Sequence, residues 1–160
     1  MSDAAGRFSE AAAAAGLAPD VRRFPEGTRT ADDAARAIGC DVGQIVKSLV
    51  FVAGSEPVLA LTSGRNRVDT AKLAALCSAS DARKATADEV RTATGCAIGG
   101  TPPFGHPGRL RCFGDPDLVA FEIVWAAAGT PDSVFPVRPD ELMRLAGARV
   151  APFTETRPGG

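Results

Sequence analysis

The sequence predicts an α+β fold built on a mixed β-sheet, and two features of the 160-residue chain support this. Apolar runs typical of strands interleave irregularly with capped helical segments, so no repeating strand–helix unit emerges. The runs at 45–53 and 58–62 are separated only by turn residues around Gly54, and this spacing predicts an antiparallel hairpin. The length suits one domain with a substantial core.

Helices are predicted where alanine-rich or periodic segments start at a capping residue or stop at a glycine. Thr30 with Asp33 resembles a capping box and Gly39 supplies the stop, while Thr86 and Gly95 bound a second such segment. The predicted helices cover 3–17, 30–39, 69–76, 86–95 and 139–146. Strands are predicted at 21–24, 45–53, 58–62, 110–113, 118–126 and 133–137.

Composition excludes several classes of protein. A net charge of −1, a pI near 5.8 and the lack of a helix-turn-helix signature argue against a DNA-binding protein. The N-terminus lacks the pattern of a signal peptide, and no apolar stretch is long enough to span a membrane, so we expect a cytoplasmic protein without a membrane partner. Four cysteines without a CxxC pair and a single histidine, His106, predict reduced thiols and no metal site.

Lys47 is the unusual residue of the central apolar run IVKSLVF (45–51). Side chains alternate along a strand, so Lys47 shares a face with Ile45, Leu49 and Phe51. A buried ammonium without a partner is costly, so the side chain needs an acceptor, a cavity or open water. From these residues alone, a lysine that snorkels from a strand end and a lysine of a functional site both remain open.

Three loops follow apolar strands and contain glycines or small residues: SGRNR (63–67), GGTPPFG (99–105) and AAAGTPDS (126–133). Main-chain amides exposed in such loops form anion or oxyanion sites, although each loop also fits an ordinary turn. His106, directly after the second loop, is either a general base or a solvent-exposed or hydrogen-bonding histidine.

These segments occur in the order of the YbaK/prolyl-tRNA editing-domain family, which the chain resembles over about residues 20–153. The segments that carry the resemblance are TADDAARAIG, VGQIVKSLVF, SGRNRVD, GCAIGGTPPFGH, EIVWAAAGTPDSVF and PDELMRLAGARV. The chain looks close to the small ProX-type proteins of this family, and the resemblance implies one editing domain over 1–160 with a loose tail at 154–160. It also implies a mixed, mostly antiparallel sheet curled around a pocket and flanked by helices.

The resemblance assigns catalysis to Lys47, which projects into the pocket of these proteins and is the residue most needed for deacylation. It places substrate-binding positions in two loops, at Gly99 and Gly100 and at Gly129, Thr130, Pro131 and Asp132. Members specialised for cysteine often carry a Gly-Lys/Ser-Arg-Gly loop, so the sequence Gly-Thr-Pro-Asp weakens the case for a cysteine preference. Thr30, Arg65 and Asn66 lie on loops expected to rim the pocket, where a solvated loop is the alternative reading.

The implied function is trans-acting hydrolysis of the ester of mischarged tRNA, with tRNA for proline carrying a small residue such as alanine or cysteine as the substrate. The implied partners are the 3′ end of aminoacyl-tRNA and prolyl-tRNA synthetase, and no cofactor is expected. The alternative is a non-catalytic module that binds the tRNA end or a synthetase. Turnover of mischarged tRNA by catalytic amounts of protein distinguishes the enzyme from the binder.

Overall fold

The computed structural model describes residues 4–24, 30–96, 101–106, 110–130 and 132–156. The helices are α1 (Ala4–Ala14), α2 (Ala31–Ile38), α3 (Thr70–Leu76), α4 (Ala87–Thr94) and α5 (Pro139–Ala146). The strands are β1 (Arg22–Arg23), β2 (Val46–Ala53), β3 (Glu56–Ser63), β4 (Ala82–Lys84), β5 (Arg111–Gly114), β6 (Val124–Ala127), β7 (Ser133–Val137) and β8 (Ala148–Val150).

The strands form two sheets. The larger sheet has the order β4–β2–β3–β5–β8, and the smaller has the order β1–β7–β6. Pairing is antiparallel among β4, β2 and β3 and throughout the smaller sheet, whereas β5 runs parallel to both β3 and β8. A parallel bridge from Ile45 to Trp125 links the two sheets. The predicted α+β fold with mixed, mostly antiparallel pairing is therefore confirmed.

Alternation along β2 divides its side chains between two apolar cores. Val46, Val50 and Val52 point into a core shared with β3, β6, β7 and α5. Phe51 and Ala53 point into a second core, against α3 and β5. Lys47 lies on the same face of β2 as Phe51 and Ala53. This is the face that α3 covers further along the strand.

The predicted caps are present and fix where α2 and α4 begin. Thr30 accepts a hydrogen bond from the main-chain N–H of Asp33, and Gly39 ends α2 at a φ of 84°. Thr86 and Glu89 form a reciprocal capping box at the start of α4. The first turn of α2 lies beside the start of β2, since Ala34 packs with Ile45 in one buried apolar cluster.

The predicted strand at 118–126 is wrong for its first half. Asp115 caps a 3-10 turn at Pro116–Ala120, and the strand β6 begins only at Val124. The carboxylate of Asp115 accepts a hydrogen bond from the N–H of Asp117, and proline at the first position favours the turn. Local turn chemistry therefore overrides the apolar character of this segment.

None of the described helices combines the length and the apolar character needed to span a membrane.

Phe8 anchors α1 to the first core. Its side chain is 1% exposed, and its ring centre lies 5.2 Å from that of Phe104 and 4.8 Å from that of Phe135. We expect Phe8→Ala to lower the free energy of unfolding by about 3–5 kcal/mol in urea denaturation, because it leaves a cavity. Val21→Ala, at a residue that is 43% exposed, is the control and should change stability by less than about 0.5 kcal/mol. Equal losses in both variants would contradict this packing role.

Candidate active site

A cavity of about 410 Å³ opens where the two sheets and the start of α2 meet. This volume lies within the range of small-ligand sites. Its walls combine small or apolar side chains with a few polar ones. The lining residues are Thr30, Ala31, Asp32, Ala34, Ile45, Val46, Lys47, Ser48, Leu49, Val50, Gly64, Lys84, Ala85, Val90, Thr101, Trp125, Ala127, Ser133 and Val134.

The cavity exists because β2 lacks a second neighbour along part of its length. Ile45 bridges to Trp125 of the smaller sheet, and the carbonyl of Val50 accepts a hydrogen bond from Ala85 at 3.0 Å. Among the described strands, only β3 pairs with residues 46–49, which lie between those two contacts. Ile45 directs its carbonyl to Gly64 on the β3 side, so by alternation the main-chain groups of Ser48 face the open edge.

Lys47 is half-buried at this cavity, and its ammonium is held by the main chain of the 63–67 loop. Its Nζ donates a hydrogen bond to the carbonyl oxygen of Asn66 at 2.6 Å. Burial is the largest influence on the pKa of Lys47 and lowers it below its ordinary value, assisted by the positive charge of Arg67. An ammonium has three donors, so the bond to Asn66 leaves two for other acceptors.

The 63–67 loop can approach β2 because it contains a glycine. Gly64 donates its N–H to the carbonyl of Ile45 at 2.7 Å. A Cβ built on Gly64 would collide with the main-chain oxygen of Val42. The close packing of this loop against the start of β2 therefore requires glycine at this position.

The side chain of Asn66 is buried and points away from the cavity, toward two carboxylates. Its Nδ2 donates to Asp115 Oδ2 at 2.8 Å and to Asp117 Oδ2 at 2.7 Å. The N–H of Ser63 also donates to Asp115 Oδ2, at 3.0 Å. Asn66 was predicted to bind substrate directly. It instead contacts Lys47 through its main-chain carbonyl and does not line the cavity.

Of the other predicted rim residues, Thr30 lines the cavity while it caps α2. Arg65 forms an exposed ion pair with Asp41 at 3.3 Å and is absent from the cavity wall. The cations that do act near Lys47 are Lys84, a lining residue, and Arg67. Lys84 was not identified as a site residue from the sequence, because the short strand β4 that contains it was not predicted.

The loop after β6 lies beside the cavity. Gly129 adopts a φ of 108°, and Thr130 donates its hydroxyl hydrogen to Asp132 at 2.7 Å. Asp132 also accepts a hydrogen bond from Arg23 at 2.8 Å, and this bond holds the pKa of its carboxyl below the ordinary value. Ser133, the first residue of β7, lines the cavity, and its Oγ lies 2.6 Å from Oγ1 of Thr130. The predicted positions Gly99, Gly100 and Pro131 lie outside the described residues.

The wall also contains small and polar residues that sequence reasoning missed. Ala31 and Ala34 present methyl groups from α2, and Trp125 adds an aromatic ring whose centre lies 4.9 Å from the guanidinium of Arg22. The Ser48 hydroxyl is buried without a hydrogen-bond partner among the described residues. Nothing in the sequence separates these alanines from other helical alanines, since their role depends on which face of α2 meets β2.

No cluster of three or more His, Cys, Asp or Glu side chains suited to a metal occurs in the part of the chain that the structure describes. His106 is mostly buried and does not line the cavity, and burial lowers its pKa.

Known proteins resemble this chain in sequence and in fold. The family model of the aminoacyl-tRNA editing domain matches residues 25–145. The uncharacterized protein YwhH of Bacillus subtilis is 31% identical over 132 residues, 82% of this chain and 83% of YwhH. A proline–tRNA ligase of Nitratidesulfovibrio vulgaris is 35% identical over 92 residues, 58% of this chain but only 16% of the ligase.

Two solved structures share the fold over nearly the whole chain. One, described as a candidate trans-editing enzyme for prolyl-tRNA synthetase, has a TM-score of 0.90 at 46% identity and covers 98% of this chain and 99% of its own. The hypothetical protein APE2540 has a TM-score of 0.86 at 27% identity and covers 93% and 99%. The matched domain and the nearly complete coverage confirm the resemblance in the sequence, and the chain belongs to the aminoacyl-tRNA editing-domain family.

Proposed function

We propose that this chain is a trans-acting hydrolase that cleaves the ester of mischarged tRNA, with tRNA for proline carrying a small amino acid such as alanine or cysteine as its substrate. The observation that carries the proposal is the half-buried ammonium of Lys47, fixed at the wall of an otherwise mainly apolar cavity. Family membership supplies the class of substrate. The protein acts in the cytoplasm on the 3′ end of the tRNA, without a cofactor.

In the proposed reaction, water adds to the carbonyl carbon of the aminoacyl ester, and the bond to the ribose oxygen then breaks. The ribose oxygen leaves with a proton, which releases the free amino acid and intact tRNA. Aminoacyl esters are already activated, so a protein nucleophile is not essential. The protein positions the ester and stabilises the developing negative charge.

Lys47 supplies the positive charge for this step. One N–H of its ammonium is occupied by the carbonyl of Asn66, and the others are available to the ester or to the oxyanion. Lys47 is half-buried, so its charge acts more strongly than it would in bulk water. Amides near Gly100 and Gly129 are proposed to assist, as the sequence suggests, and the neighbours of Gly129 on the wall are Ala127 and Ser133.

The tRNA is proposed to approach along the exposed cations at the mouth. Lys84 lines the cavity, and Arg67 lies close enough to lower the pKa of Lys47. Both residues are exposed, so they can meet the terminal phosphates. Prolyl-tRNA synthetase, which charges the substrate tRNA, is the proposed protein partner.

Lys47→Ala should lower kcat/KM for alanyl-tRNA by at least about 100-fold, because it removes the charge aimed at the developing oxyanion. Lys47→Arg should also be poor, since a planar fork does not replace a compact ammonium. Release of labelled alanine from mischarged tRNA by catalytic amounts of protein measures this.

Lys72→Ala is the matched control for this experiment. Lys72 also donates to a main-chain carbonyl, that of Thr154 at 2.8 Å, but it lies outside the cavity. Wild-type turnover by Lys47→Ala, or equal losses in the two lysine variants, would contradict the role of Lys47. Stoichiometric protection of the ester by the wild-type protein would instead support the binding module.

Hydrolysis should continue after dialysis against EDTA, because the proposed reaction uses no metal. The described residues hold no suitable ligand cluster, and Lys47 supplies the positive charge. Initial rates before and after chelation, with the tRNA refolded in magnesium in both assays, measure this. Loss of activity that zinc restores would overturn the metal-free mechanism.

The cavity should admit small aminoacyl groups and spare prolyl-tRNA, because its wall excludes larger side chains by steric clash. Ala34 is 3% exposed and lines the cavity. Ala34→Val should therefore lower the hydrolysis of cysteinyl-tRNA relative to alanyl-tRNA by about tenfold, the scale of one methylene in a pocket.

The control for this prediction is Ala37→Val, the same substitution on the exposed face of the same helix. It should leave the ratio of the two rates unchanged. Rapid cleavage of prolyl-tRNA by the wild-type protein would rule out the steric reading, as would equal shifts in the two variants.

A further inference from the structure

Asp115 is a buried carboxylate directly behind the 63–67 loop. Its residue is 1% exposed. Its Oδ2 accepts hydrogen bonds from Ser63 N at 3.0 Å and from Asn66 Nδ2 at 2.8 Å, while its Oδ1 accepts one from Asp117 N at 2.9 Å. Burying a carboxylate is costly unless its oxygens are satisfied, and these three donors hold the group in one orientation.

The same bonds fix the acceptor of Lys47. Asp115 grips the loop at Ser63 and at Asn66, and Asn66 N also donates to Ser63 O at 2.9 Å. The segment from Ser63 to Asn66 therefore forms a hydrogen-bonded turn. Asp115 attaches this turn to the segment that follows β5. The carbonyl of Asn66, which takes the ammonium of Lys47 at 2.6 Å, has little freedom to move.

We propose that Asp115 is a positioning residue for deacylation, which holds the Asn66 carbonyl so that the Lys47 ammonium is fixed at the cavity wall. The inference rests on the proposed function for its effect on rate. Asp115 does not line the cavity and acts through Asn66. A small misplacement of a catalytic group can reduce the rate by about 100-fold, so this support governs activity.

The charges around Lys47 give this role a measurable signature. Arg67 and Lys84 lower the pKa of Lys47, whereas Asp115 and Asp32 raise it. Asp32 is exposed at the start of α2, where salt screens its charge, but Asp115 is buried. Removing the charge of Asp115 should therefore lower the pKa of Lys47 further. If the ammonium is the active form, the alkaline limb of the pH–rate profile then moves to lower pH.

Asp117 provides a matched control. It accepts a hydrogen bond from the same Asn66 Nδ2, at 2.7 Å, but its residue is exposed. It is not among the charges that shift the pKa of Lys47. Asp117→Asn should therefore leave the alkaline limb in place, whereas Asp115→Asn should move it.

The experiment measures the pH dependence of alanyl-tRNA hydrolysis for the wild-type protein, Asp115→Asn, Asp117→Asn and Asn66→Ala. For Asp115→Asn we expect kcat to fall about 100-fold with little change in KM, and the alkaline limb to move to lower pH. Asn66→Ala keeps the carbonyl and the Asp115 charge but cuts the link between them. It should lose kcat with a smaller shift of the limb, and it also serves as the test if Asp115→Asn does not fold.

A titration without substrate separates this inference from the proposed function. The chain has three lysines, Lys47, Lys72 and Lys84, so ¹³Cε NMR of labelled lysine resolves Lys47, with Lys47→Arg identifying its signal. A lower pKa of Lys47 in Asp115→Asn but not in Asp117→Asn supports the role of Asp115, even if the wild-type protein hydrolyses no ester tested. A folded Asp115→Asn with wild-type kcat, limb and Lys47 titration would overturn it.

Discussion

The hydrogen bond from the Lys47 ammonium to the Asn66 carbonyl connects the parts of this site. A strand whose neighbours are apolar cannot hold an ammonium without an acceptor, and a main-chain carbonyl provides one without adding a second buried charge. That carbonyl belongs to a loop that packs closely only because residue 64 is glycine. The loop is in turn fastened to Asp115, so the position of one charge depends on contacts from three segments.

The cavity beside Lys47 arises because part of β2 is paired on one side only. A fully paired β2 would close its edge and leave no room beside Lys47. The strand instead pairs on both sides only near its ends, through Trp125 and Ala85, and its middle borders the first turn of α2. Small residues on that turn leave the space open. Helix residues therefore contribute to the size of the cavity, whereas β2 and the 63–67 loop place its ammonium.

Local signals predicted most of the fold. The caps at Thr30 and Thr86, the hairpin around Gly54 and the alternation along β2 all depend on residues close in sequence, and all are present. The prediction of a strand at 118–126 was wrong for its first half, because Asp115 and Pro116 start a 3-10 turn there despite the apolar residues of the segment. The assignment of Lys47 required the resemblance, and the environment of Asn66 required the fold, because its partners Asp115 and Asp117 lie about 50 positions away.

The side chains on the cavity wall also limit the chemistry that the site can perform. Neither a cysteine nor a histidine is among the lining residues that the structure describes. Burial raises the pKa of Cys112 to about 12, so this thiol stays protonated, and His106 lies elsewhere. A site with an ammonium, mainly apolar walls and hydroxyl groups can orient and polarise an ester, but its described side chains include no thiol or imidazole nucleophile. An aminoacyl ester, which water attacks readily once it is held and polarised, is the kind of substrate for which such a site suffices.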